Sequence, residues 1–69
     1  MSQNRKVLDY MERHGSITPM DAIRDLGIMR LAARIWDLTG QGVPIAKTME
    51  TGKNRDGEDV RYARYVLMA

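Results

Sequence analysis

Gly27 divides a helix-periodic apolar stretch into two short pieces, and the second runs directly into a segment that alternates with period two. Few folds accept helices so short with so tight a link between them. Ser16-Ile17-Thr18-Pro19 opens the first piece: Thr18 offers an N-cap oxygen, Pro19 suits the first helical position and Asp21 supports the first turn. Gly27 closes it. After Ile28 and Met29, the second piece places Leu31, Ala32, Ile35 and Leu38 on one side and ends at Gly40-Gln41-Gly42.

The flanking segments complete the pattern. A helix is expected over residues 3 to 14, capped by Ser2 and ended by Gly15, with Val7, Leu8 and Met11 on one face and Tyr10 and His14 at its edges. Ile17 reads as a very short strand before Thr18. The second helix, residues 19 to 26, should turn Ala22, Ile23 and Leu26 inward and leave Asp21, Arg24 and Asp25 in water. The third should span residues 29 to 41. From Val43 onward Ile45, Lys47, Met49 and Thr51 alternate with Ala46, Thr48 and Glu50, and Gly52 to Glu58 is rich in turn formers. Arg61, Ala63, Tyr65 and Leu67 then alternate with Val60, Tyr62, Arg64 and Val66, which makes the last third a β-hairpin whose Ala63, Tyr65 and Leu67 face covers the helices. The expected fold is α+β: a winged helix-turn-helix, three helices followed by a hairpin wing, forming a single domain over residues 1 to 69.

A chain of 69 residues buries a modest core, and with Cys 0 and a single histidine it has neither disulfides nor a cysteine or histidine metal cluster to reinforce it. A homodimer is therefore in play. No signal peptide or membrane span is legible, so the expected location is cytoplasmic, away from any membrane. Catalysis finds no support: His14 sits near a helix C-terminus, Asp21 and Asp25 read as solvated carboxylates, and Gly40-Gln41-Gly42 follows a helix instead of preceding one as a phosphate-cradling loop does. The chain reads as a non-enzyme with no cofactor, no metal and no catalytic residues. Met20, Met29, Met49 and Met68 read as adaptable core or edge filling.

The formal net charge of +2 is too small to specify a nucleic-acid partner, but its distribution is uneven. Arg5, Lys6, Arg13 and Arg24 are balanced by Asp9, Glu12, Asp21 and Asp25. The excess lies later, where Arg30, Arg34, Lys47, Lys53, Arg55, Arg61 and Arg64 outnumber Asp37, Glu50, Asp56, Glu58 and Asp59. With the third helix in a major groove and the hairpin tip on the neighbouring backbone, the candidate DNA contacts are Arg30 and Arg34, with Ala33 allowing close approach and Asp37 on the same side. The arginines suit guanine edges or phosphate oxygens equally. Asp37 either accepts from a cytosine amino group or steers Arg34 through an ion pair. Thr18, Lys47, Lys53, Asn54 and Arg55 are the candidate contacts that fix register on the backbone. The competing reading makes Arg30 and Arg34 a solvated helix face and Lys53 to Arg55 ordinary tip solvation.

Several runs carry a resemblance: Asn4 to Tyr10, Gly15 to Ala22, Leu26-Gly27-Ile28, and above all Leu31-Ala32-Ala33-Arg34-Ile35 with Asp37-Leu38, then Gly42, Ile45, Lys53 to Gly57, Val60 and Ala63-Arg64-Tyr65. Together they resemble the small helix-turn-helix domain family of phages and prophages over nearly the whole chain. That resemblance implies a stand-alone winged domain encoded by mobile elements, with its recognition helix at residues 29 to 41 and its wing at residues 52 to 58. Thr39, Gly40 and Gln41 stand where the pattern often carries a basic residue or two.

Two function classes follow. One is sequence-specific binding of double-stranded DNA by a phage or prophage transcriptional regulator. The other is a protein-binding module of a mobile element, a host-takeover or anti-defence inhibitor, presenting Trp36, Tyr62 and Met49 to a protein partner.

Overall fold

The computed structural model describes residues 2–68. Helix α1 (Gln3–His14) begins where the Ser2 hydroxyl accepts from the Arg5 amide and ends at Gly15, whose φ of 84° lies in the left-handed region that a side chain would strain. Val7 and Met11, one turn apart, form its fully buried face. Strand β1 (Ser16–Ile17) follows at once. Helix α2 starts as an α-turn over Pro19–Asp21 and continues as a wider π-turn over Ala22–Leu26. Its start is a complete capping box: the Thr18 hydroxyl accepts from the Asp21 amide, and the Asp21 carboxylate accepts from the Thr18 amide. Gly27, again left-handed, turns the chain so that the Ile28 amide donates back to the Ala22 carbonyl.

Helix α3 (Leu31–Gly40) is shorter than the expected 29 to 41, because Arg30 takes a non-helical conformation at its N-cap. After it, β2 (Ile45–Lys53) and β3 (Asp59–Leu67) pair antiparallel from Ile45 opposite Leu67 to Lys53 opposite Asp59. Strand order is β1-β3-β2, and β1 covers β3 only at Tyr65 and Val66. The core joins Val7, Met11, Ile17, Ala22, Ile28, Leu31, Ile35 and Leu38, with Tyr65, Leu67 and Ile45 packed on it from the root of the hairpin. This is the expected three-helix and hairpin α+β arrangement.

Four burial assignments differ from the sequence reading. Ile23 is exposed, because the π-turn closes from residue 27 to residue 22 and brings Ala22 and Leu26 into line while rotating Ile23 outward. Asp21 is drawn into the capping box and half-buried instead of standing in water. Ala32 is exposed, since Leu31, Ile35 and Leu38 alone fill the narrow stripe against α1 and Ala32 lies a full residue's rotation away. Met20, Met29, Met49 and Met68 are all exposed; among the described residues, Met11 is the methionine in the core. No helix among the described residues is long and apolar enough to cross a membrane.

Candidate nucleic-acid interface

The elements that would meet a duplex are α3 and the hairpin, and their charges are best sorted by what already neutralises them. Arg5 pairs with Asp9, Arg24 with Asp21 and Asp25, Arg34 with Asp37, Lys53 with Asp59 and Arg64 with Glu50. Among the described residues, the cations left outside these pairs are Lys6 and Arg13 on α1, Arg30 at the start of α3, Lys47 on β2, Arg55 at the hairpin tip and Arg61 on β3. A cation without a local counter-charge is the one whose condensed ions a phosphate can replace.

Arg30 is exposed at the N-cap of α3. Arg34, four positions on, is instead engaged with neighbouring side chains. One guanidinium nitrogen contacts Asp37 at 3.2 Å, another donates to the Gln3 side-chain oxygen of α1 at 3.2 Å, and Nε is shielded from solvent without a hydrogen-bond partner. The side chain is 29% exposed. Three positions beyond Leu31, Arg34 is only about 60° round from the buried stripe, so it flanks the α1 contact instead of the outward line. Asp37, half-buried, takes the steering role and holds Arg34. Ala33 is half-buried.

Two of the expected backbone contacts serve the fold itself. Thr18 is 5% exposed, its hydroxyl oxygen accepting from the Asp21 amide in the cap, so burial keeps its side chain from a phosphate. The Asn54 side-chain oxygen accepts from the Asp56 and Glu58 amides, both at 3.0 Å, and so builds the hairpin loop. Lys53 and Arg55 are exposed, but Lys53 is tied to Asp59, and Arg55 shares the tip with Asp56 and Glu58, which no cation pairs. The tip is therefore net acidic, so Lys53 and Arg55 stand there among more negative than positive charges.

The other exposed cations of the hairpin are on its blade. Lys47 lies opposite Tyr65, and Arg61 opposite Thr51, so both stand on the face whose root residues Ile45, Tyr65 and Leu67 pack on the helices. Lys47 and Arg61 are exposed there. Arg61 is absent from the residues the sequence singles out, although its place in the Arg61, Ala63, Tyr65, Leu67 alternation contained the signal. Arg64, one residue out of phase, is on the opposite face, clamped at 2.9 Å to both the Glu50 carboxylate and the Ser16 hydroxyl. It completes the root of the wing.

On α2 the charge is tied up in local pairs at the surface. The Tyr10 hydroxyl donates to Asp25 at 2.8 Å, and Arg24 reaches Asp21 and Asp25 together. The Arg24 and Tyr10 hydrogen bonds hold the Asp25 carboxyl well below the usual carboxylate range, at about 2, and the same bond to Asp25 pushes the Tyr10 phenol up.

No curated protein matches the chain. A family model described as a winged helix-turn-helix domain matches residues 2–69, the full run of helices and hairpin whose geometry is set out above. The chain belongs to the winged helix-turn-helix domain family.

Proposed function

We propose that this domain binds double-stranded DNA in a sequence-dependent way and acts as a phage or prophage transcriptional regulator, working by occupancy of its site. The observation that carries the reading is the placement of uncompensated positive charge: Arg30 at the leading edge of α3, and Lys47 and Arg61 on the blade face continuous with the helical core. In this reading α3 enters the major groove, Lys47 and Arg61 lie along the adjoining backbone, and Arg55 is an outlying contact. Phosphate contacts of this kind fix register without reading sequence. Two copies on a two-part site would raise both affinity and specificity. Family membership supports DNA as the partner, and the resemblance of the Leu31 to Ile35 block supports a mobile-element origin.

Titration of a labelled duplex against salt tests this. The logarithm of affinity should fall linearly with the logarithm of salt, with a slope of about −0.9 for each phosphate contacted. A flat titration on every duplex, with the protein folded, would remove DNA as the partner.

A further inference from the structure

The outward line of α3 carries almost no polar chemistry. The exposed residues of α3 are Ala32, Trp36, Thr39 and Gly40, opposite the buried stripe of Leu31, Ile35 and Leu38, with half-buried Ala33 at the edge of that line. Trp36 is 78% exposed, and Met29, just before the helix, is 83% exposed. The nearest charged groups on the helix, Arg34 and Asp37, satisfy each other and lean toward α1. The Thr39 hydroxyl donates to the Trp36 carbonyl. A recognition helix built this way offers neither a free arginine fork for guanine nor a free carboxylate for cytosine along its middle turns.

What remains for it to read is apolar. Of the four bases, only thymine presents a methyl group in the major groove, and alanine and aromatic side chains are suited to packing on it. We propose that α3 selects its site by apolar contact of Trp36 and Ala32 with thymine methyl groups, while Arg30, Lys47 and Arg61 hold the flanking phosphates. This rests on the DNA-binding reading above and assigns the chemistry of its specificity. Those three uncompensated cations favour a polyanion over an apolar protein surface as what covers Trp36. The small side chains at 32 and 33 allow α3 to approach the base edges closely, leaving the indole as the longest group on the line.

Selection from a random duplex library yields a bound sequence, and replacing its thymines by uracil one at a time then removes a single methyl each time. The expected result is a loss of about fourfold in affinity at each contacted thymine, the effect of one methyl's burial. Trp36→Ala should abolish the thymine over uracil preference while leaving the salt slope unchanged, and Trp36→Phe should retain part of the preference. Since Trp36 is the single tryptophan, its emission in the parent should change on binding the selected duplex. Equal affinity for the thymine and uracil duplexes overturns the inference while leaving DNA binding intact. So does a preference that persists in Trp36→Ala, or a Trp36 that matters only to a protein partner. Absence of salt-dependent binding to any duplex is a separate outcome: it removes the DNA reading, and the inference with it.

Discussion

The Tyr10 hydroxyl donates to the Asp25 carboxylate at 2.8 Å across fifteen positions of chain, tying α1 to the π-turned part of α2. Arg24 supplies the larger share of what keeps Asp25 ionised, and Tyr10 the next. With the folded value near 2 and the unfolded one near 4, the stabilisation is complete above about pH 4 and fades as pH falls toward 2. Tyr10→Phe should raise the Asp25 titration midpoint, read by carboxyl NMR, and shift acid unfolding to higher pH. An unchanged midpoint would mean that the phenol contributes nothing.

The capping box gives a second test. Thr18→Ala removes the oxygen that receives the Asp21 amide and should cost about 1 kcal/mol, lowering the thermal midpoint by roughly 4–8 °C. Thr18→Ser should recover most of that loss. DNA affinity measured well below the midpoint should be unaffected in both variants, because Thr18 is buried.

Lys47 and Arg61 should behave as a pair. Each replaced by Ala should weaken binding to all duplexes alike and reduce the magnitude of the salt slope by about 1. Arg55→Ala should do less, since acidic groups surround it. A sequence-selective effect at Lys47 or Arg61 would move that residue from the backbone to a base edge.

The acidic tip makes the opposite prediction. Asp56→Asn combined with Glu58→Gln keeps the two bonds that the Asn54 oxygen accepts from backbone amides, and the glutamine side-chain oxygen at position 58 can still accept the long 3.5 Å bond that the Asn54 side-chain amide donates to Glu58. If the wing lies beside phosphate, the double variant should strengthen binding by on the order of 1 kcal/mol at low salt. Parent-like affinity would place the tip outside the interface.

Arg34 is better viewed as a brace between α1 and α3 than as a reader of bases. Arg34→Ala should lower stability by roughly 0.5–1 kcal/mol, as expected for a partly exposed pair, and leave the salt slope near that of the parent. A chemical denaturation curve and a salt titration on the same variant separate the two roles.

The limits of sequence reading fall at identifiable places. Most capping chemistry was legible: Ser2, Gly15, Thr18, Pro19 and Gly27 each mark an element boundary that depends on a few neighbouring atoms, while the non-helical Arg30 that starts α3 was not. The two faces of each hairpin strand followed from strict alternation. What escaped were features set by groups far apart in sequence. Nothing near Arg34 announces Gln3 as a partner, and nothing in the Lys53-Asn54-Arg55 run says that one cation is tied to Asp59 while the amide builds the loop. Ile23 was misassigned because an α-helical period was assumed where the backbone widens into a π-turn.

Because β1 meets β3 only at Tyr65 and Val66, the stretch from Asp59 to Arg64 has a single neighbouring strand and projects as a cantilever from a fixed hilt. Two-stranded ribbons twist more freely than wider sheets and draw little stiffness of their own from packing. The blade that carries Arg61 can thus bend to suit the width of whatever groove it meets, while the α3 helix, anchored by Leu31, Ile35 and Leu38, keeps its angle. Compliance and rigidity are divided at the point where the short strand stops.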